Sequence, residues 1–266
     1  MSKYQIIFLV VTLAILGIFV FDMKDNLPTT EVGKNVEILK SVENMPILAE
    51  EVAYFPEADG YFVRPKNDNP YPGVVLIHEN RGLRPETKMA AEQLAKDGFL
   101  VLAVDLFGKT AETQEEARAL TGSFSGEVGV QNMRAAVKFL RDKGATKIAS
   151  LGWCFGGRQS IELAISGEKL DATVVYYGGS MATTTDKLAP IKWPVLGIFG
   201  DQDQAIPVEM VKEFETSLNV LGVENEIHIY PGVGHAFANP SGMNYAPNET
   251  KDAWAKTLAF LKENLK

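Results

Sequence analysis

The stretch Gly152-Trp153-Cys154-Phe155-Gly156-Gly157 constrains what this chain can fold into more than any other. Before it, Lys147 to Leu151 is an apolar run that reads as a buried strand. After it, Arg158 to Ser166 carries Ile161, Leu163, Ala164 and Ile165, a spacing suited to a helix packed on a sheet. Strand and helix must therefore meet in a sharp turn at Cys154. Glycines on either side let the backbone fold tightly and present the central side chain at the helix N-terminus, above the sheet. A helix N-terminus and a neighbouring base both favour the thiolate, the attacking form of a cysteine. The competing account makes Cys154 a small buried hydrophobe behind a Gly-rich turn, the usual state of a free cysteine. Two features speak against it: the strand, turn and helix around the residue, and an Asp and a His that follow in the order nucleophile, acid, base.

Around this turn the chain alternates between strand and helix patterns. Val52 to Phe55 and Gly60 to Arg64 read as a strand pair joined by a turn at Pro56 to Gly60, and Pro65 to Pro72 as a loop. Val74 to Ile77 and Phe99 to Val104 are runs of the kind buried on both faces of a sheet. Glu86 to Asp97 has helical spacing, with Met89, Ala90, Leu94 and Ala95 on one side, and Gly98 ends it. Ala111 to Leu120 and Val128 to Lys143 read as helices separated by a Thr121 to Gly126 loop. Further on come strands at Ala172 to Tyr177, Val195 to Phe199 and Glu226 to Tyr230, with helices at Pro207 to Leu221 and Asn248 to Leu265. Such alternation predicts an α/β fold, a mostly parallel sheet with helices on both faces. Ligands bind outside the carboxyl ends of strands in such sheets, where His78, Cys154, Asp203 and His235 all emerge.

Met1 to Phe21 differs from everything after it. Lys3 precedes an apolar run from Ile6 to Phe21, interrupted only by Thr12 and Gly17, and Asp22, Lys24 and Asp25 follow. The run lies between the length of a signal-peptide core and that of a membrane span, so residues 1–25 read as a signal anchor or a signal peptide. The absence of a small-residue cleavage site after the run favours the anchor. The charge asymmetry puts the body of the protein on the non-cytoplasmic side, periplasmic or extracellular. Residues 26–44 are polar and weakly patterned, a linker, and residues 45–266 are expected to form one domain. A net charge of −8 argues against a nucleic-acid partner. A single cysteine excludes an internal disulfide and any cysteine-based zinc site.

Only three histidines are available as a base. His228 lies inside a strand pattern and His78 ends a buried strand, where it would order the following loop. His235, on the Gly-rich loop Gly232-Val233-Gly234-His235-Ala236-Phe237, is the expected base. Two acids are available in Gly200-Asp201-Gln202-Asp203-Gln204-Ala205-Ile206-Pro207. Either could orient the imidazole, and either could instead cap a turn or the helix near Pro207.

Six separated motifs together resemble the dienelactone hydrolase family of α/β-hydrolases, over nearly the whole chain from Val52 to Leu265. They are His78-Glu79, Ala103-Val104-Asp105-Leu106-Phe107-Gly108, the Cys154 turn, Tyr176-Tyr177-Gly178, the Gly-x-x-Asp ending at Asp203, and Gly234-His235-Ala236-Phe237. The resemblance implies Cys154 as nucleophile, His235 as base and Asp203 as acid. It implies Glu79 as the carboxylate that meets the resting thiol, and the backbone amides of Phe155 and Asn80 as the oxyanion hole. The family's dienelactone enzymes carry an arginine for the substrate carboxylate where this chain has Asn239. Arg81 and Arg158 are the nearest basic alternatives, and Arg81 could bind a carboxylate or simply pair with an acid in its loop.

The expected activity is hydrolysis of an ester or lactone through a thioester acyl-enzyme, by a monomer without metal or organic cofactor. Its partners would be the small-molecule substrate and, through residues 1–25, a membrane. A thioesterase or other acyl hydrolase, or a non-catalytic membrane-tethered binding protein, remain open on the same fold.

Overall fold

The computed structural model describes residues 45–266; the predicted targeting segment and linker lie outside the described residues. Eight strands form one sheet in the order β1-β2-β4-β3-β5-β6-β7-β8. β1 (Ile47–Phe55) and β2 (Ala58–Pro65) form an antiparallel hairpin, and β2 runs antiparallel to β4 (Leu100–Val104). Every other pairing is parallel, through β3 (Gly73–Ile77), β5 (Ile148–Trp153), β6 (Ala172–Tyr176), β7 (Val195–Gly200) and β8 (Asn225–Tyr230). β3, β4 and β6 are buried along their whole length, as their unbroken apolar runs predict for strands covered on both faces. β1 is an edge strand whose exposed positions include Glu50 and Glu51, charges that discourage pairing with another chain.

The helices are α1 (Pro85–Lys96), α2 (Gln114–Ser123), α3 (Gly126–Asp142), α4 (Phe155–Ile165), the single turn α5 (Thr185–Leu188), α6 (Val208–Val220) and α7 (Pro247–Asn264). Several differ from the sequence-based bounds for local reasons. The hairpin turn is only Pro56-Glu57, with Glu57 at φ 60°, so both strands are longer than their apolar cores suggest. α2 begins at Gln114 because Thr113 and Glu116 form a reciprocal capping box, which leaves Ala111 buried in the loop before it. Ser125 caps α3, so the loop between α2 and α3 shrinks from the expected Thr121–Gly126 to Phe124 and Ser125.

α1 buries Thr87, Ala91, Leu94 and Ala95. Met89 was expected on that face, but it points outward at 67% exposure. At 100° per residue Met89 falls nearly opposite the Ala91–Leu94–Ala95 stripe, so the helix covers its part of the core without it.

Candidate active site

The turn between β5 and α4 bends as the glycine pattern requires. Cys154 has φ 54° and ψ −113°, a left-handed conformation that a non-glycine residue holds only where its surroundings force it. Close packing supplies that force. A Cβ on Gly156 would lie 2.3 Å from the Ile77 carbonyl and 2.5 Å from that of His78, and one on Gly152 would lie 2.2 Å from the Gly156 carbonyl. β3, β5 and α4 therefore meet backbone to backbone beneath the cysteine. The Cys154 amide donates to the Tyr176 carbonyl (3.0 Å), which fixes the crest of the turn against the end of β6. α4 starts at Phe155, directly after the cysteine and a turn earlier than its apolar residues indicated, so its N-terminus faces the thiol.

His235 reaches this thiol from the loop after β8. Its Nε2 lies 3.1 Å from Cys154 Sγ, and its Nδ1 donates to Asp203 Oδ2 at 2.7 Å. A carboxylate can only accept here, so Nδ1 carries a proton and Nε2 is left to exchange one with sulfur. Asp203 is 4% exposed, and its other oxygen accepts from the Ala205 and Ile206 amides (2.9 and 3.1 Å). The carboxylate is thus fixed at both oxygens. Asp201 faces elsewhere: its Oδ1 accepts from the Gly232 amide at 2.7 Å and steadies the loop that carries His235. Burial tends to lower the His235 pKa, but its hydrogen bonds to Asp203 and Cys154 outweigh this and push it up to about 10.

The other two histidines stand apart from this chain of contacts. His78 is fully buried; its Nδ1 donates to the Glu79 carbonyl (2.6 Å) and its Nε2 accepts from the Leu106 amide (3.1 Å). It ties the loop after β3 to the loop after β4, and burial holds its pKa below the ordinary value. His228 lies on β8, with Glu226 at 3.5 Å.

Glu79 enters from the loop after β3. The sequence resemblance would set it against the thiol, yet its Oε2 accepts from the side-chain amide of Asn239, while the thiol's partner is His235. Asn239 is itself braced, its Oδ1 accepting from the amide and hydroxyl of Ser241. Burial pushes the Glu79 carboxyl above the ordinary range, and the Asn239 bond offsets only part of this. Tyr177, at φ 35°, is fully buried, and its ring packs edge-on against His235 with centroids 5.3 Å apart. Neither Tyr177 nor the Asn239–Glu79 bond followed from motif reading, which marked both positions but not the contacts between them.

Cys154, His235, Glu79, Asn80, Arg81 and Asn239 all line one cleft of about 530 Å³. The Phe155 and Asn80 amides have no hydrogen-bond acceptor among the described residues. Arg81 donates to the Glu112 carbonyl (3.0 Å) and has no carboxylate within salt-bridge reach among the described residues. Arg84, which sequence reading passed over, lines the same cleft but is paired with Glu86 and Glu112. Arg158 is not in the cleft; it lies by Glu162 (3.7 Å) and lines a different cavity with Phe124 and Gln159. Among the described residues no three His, Cys, Asp or Glu side chains converge to hold a metal ion.

Comparison with known proteins gives a consistent picture. The model of the dienelactone hydrolase family matches residues 58–265. "Protein usf" of Aquifex pyrophilus is 32% identical over 218 residues, 77% of this chain and 93% of that protein. A protein of Methylorubrum extorquens named "Putative carboxymethylenebutenolidase" is 26% identical over 238 residues, 82% of this chain and 81% of its own length. Among solved structures, one titled "Putative Dienelactone Hydrolase" from Klebsiella pneumoniae superposes with a TM-score of 0.73 at 26% identity, covering 82% of this chain and 99% of that one.

Proposed function

The chain belongs to the dienelactone hydrolase family of α/β-hydrolases, and from that premise we propose that it hydrolyses a small carboxylic ester or lactone with Cys154 as the nucleophile. The observation that carries this reading is the unbroken line Asp203–His235–Cys154, with contacts of 2.7 and 3.1 Å. Asp203 holds the imidazole in place, and His235, its pKa pushed up to about 10, already carries the thiol's proton, so sulfur bonds to the substrate carbonyl carbon as the thiolate. The carbonyl oxygen becomes an oxyanion between the Phe155 and Asn80 amides, whose N–H groups are free to receive it. Collapse of this intermediate breaks the ester bond, and His235 gives its proton to the departing oxygen, leaving a thioester on Cys154. Water then attacks the thioester as His235 accepts its proton, and collapse releases the acid and expels the Cys154 thiolate beside the imidazolium.

Glu79, held by Asn239, would act on the cleft's charge rather than directly on the thiol. Arg81 is the cation available to a substrate carboxylate. Residues 1–25 would tether the enzyme to a membrane, with its catalytic domain on the non-cytoplasmic side. Comparing turnover of matched esters, lactones and thioesters by the purified protein tests the proposal. Preference for oxygen esters or lactones supports it, a clear preference for thioesters moves the assignment to a thioesterase, and no turnover of any class leaves a binding protein.

A further inference from the structure

The cleft that holds Cys154 is lined unlike most small-molecule sites, which are built mainly of apolar and aromatic side chains. Among the described residues no Phe, Tyr or Trp lines it, and Ala236 and Met243 are its apolar members beside the thiol. The aromatic residues gather instead around a separate cavity of about 360 Å³ between α1 and α7, which neither Cys154 nor His235 lines. A substrate whose carbonyl reaches the sulfur therefore meets a polar wall. Several of its groups are uncommitted: Asn80, Thr87 and Gln114 make no side-chain hydrogen bond among the described residues. Thr87 is the most telling of them. It is only 7% exposed, yet its hydroxyl is not among the polar atoms closed off from solvent. Polar groups this deep are normally paired, so a hydroxyl left open at the cleft points to a substrate atom that meets it. Arg81 adds further donors, since its bond to the Glu112 carbonyl uses only one N–H of the guanidinium.

Charge narrows the class of substrate further. Arg81 and Arg84 share the lining with Glu79 and Glu86, so neither sign dominates. Arg84 is engaged by Glu112 at 3.2 Å and by Glu86 at 3.7 Å. The Glu116 carboxyl is held below its usual range by the Thr113 and Glu112 amides first, and by the Arg81 charge as well. An anionic substrate would have to compete with these acids. Neutral hydroxyls face no such competition, because each can donate and accept at once and so suits amide, hydroxyl and guanidinium groups alike. Resting on the reading of this protein as an ester hydrolase, we propose that its substrate is a neutral ester or lactone of a polyhydroxylated, sugar-like compound. Its hydroxyls bond to Thr87, Asn80, Gln114 and Arg81 while its carbonyl lies at Cys154. The cleft's volume of about 530 Å³ suits one ring bearing a short acyl group.

Steady-state kinetics of the full-length protein on three matched acetate esters tests this. They are 6-O-acetylglucose, cyclohexylmethyl acetate, which has the same skeleton without ring oxygen or hydroxyls, and the anionic 4-(acetoxymethyl)cyclohexanecarboxylate. The kcat/KM for 6-O-acetylglucose should exceed that for cyclohexylmethyl acetate by roughly ten- to a hundredfold, the worth of two or three hydrogen bonds. Thr87→Val should shrink this ratio by roughly 3- to 10-fold, whereas Thr87→Ser, which keeps the hydroxyl, should hold it. Gln114→Leu should shrink it in the same way. p-Nitrophenyl acetate tells two kinds of failure apart. If it is turned over while cyclohexylmethyl acetate or the carboxylate ester matches or beats 6-O-acetylglucose, the polyhydroxylated substrate is overturned and the hydrolase stands. A ratio indifferent to both Thr87→Val and Gln114→Leu overturns it equally. If no ester is turned over, p-nitrophenyl acetate included, the hydrolase reading falls and takes this proposal with it.

Discussion

The imidazole of His235 stands 3.1 Å from the sulfur of Cys154, while the carboxyl of Glu79 is turned to Asn239. Proton transfer from sulfur to nitrogen therefore needs no rearrangement of the site, and the groups around the imidazole decide how readily it happens. Asp203 is the group with the most direct hold on it.

The first prediction concerns pH. With the His235 pKa at about 10, the alkaline fall of kcat/KM should lie near that value rather than near the ordinary histidine range. Asp203→Asn removes one of the two hydrogen bonds that raise it, so the fall should move to lower pH and turnover should drop by roughly 10³- to 10⁴-fold. Asp201→Asn, whose carboxylate meets the Gly232 amide and the Gln202 side chain but not the imidazole, should do neither. Stability follows the same sign. A group whose folded pKa is raised contributes fully below its unfolded pKa of about 6.5, and the contribution is lost as pH rises through its folded pKa. The melting-temperature gap between wild type and Asp203→Asn should accordingly narrow as pH is raised toward 10.

The second prediction concerns the turn. Gly156→Ala puts a methyl group 2.3 Å from the Ile77 carbonyl, so β3 and α4 must separate. A destabilisation at or beyond the upper end of the usual overpacking range, about 3 kcal/mol, is expected. Gly122→Ala, in helix α2 with nothing within 4 Å, should instead be neutral or stabilising. Chemical denaturation of the two variants measures the contrast.

Much of this arrangement was legible in the sequence. The β–turn–α pattern located Cys154, and the scarcity of histidine singled out His235, because covalent connectivity and burial leave clear traces in composition and spacing. Choosing Asp203 over Asp201 rested on family resemblance, since two acids two residues apart carry the same local signal. What stayed hidden were contacts between loops. The Asn239–Glu79 bond joins residues 160 positions apart. Helix starts were missed where a capping side chain, such as Thr113, set them rather than the apolar period.

The third prediction concerns substrate charge. Asn239 is neutral and engaged with Glu79, which leaves Arg81 as the cleft cation without a carboxylate partner among the described residues. Preference for an acidic lactone over a neutral ester of equal size should be small unless Arg81 meets the carboxylate. In that case Arg81→Met should reduce it by roughly ten- to a hundredfold. A strong preference that survives Arg81→Met would point to a different cation.

The fourth prediction concerns residues 1–25. As an uncleaved anchor they should keep the full-length protein with membranes, and a form starting at Asn26 should be soluble. Recovery of a shortened mature protein from the soluble periplasmic or secreted fraction would favour a cleaved signal peptide.

The most direct test of the nucleophile is mass spectrometry of the protein quenched in acid during turnover of p-nitrophenyl acetate. An acetyl group is expected on Cys154, removable by hydroxylamine as a thioester is, and absent from Cys154→Ala, which should also lose turnover by several powers of ten. Undiminished turnover in Cys154→Ala, or an acyl group carried on another residue, would contradict the assignment of Cys154.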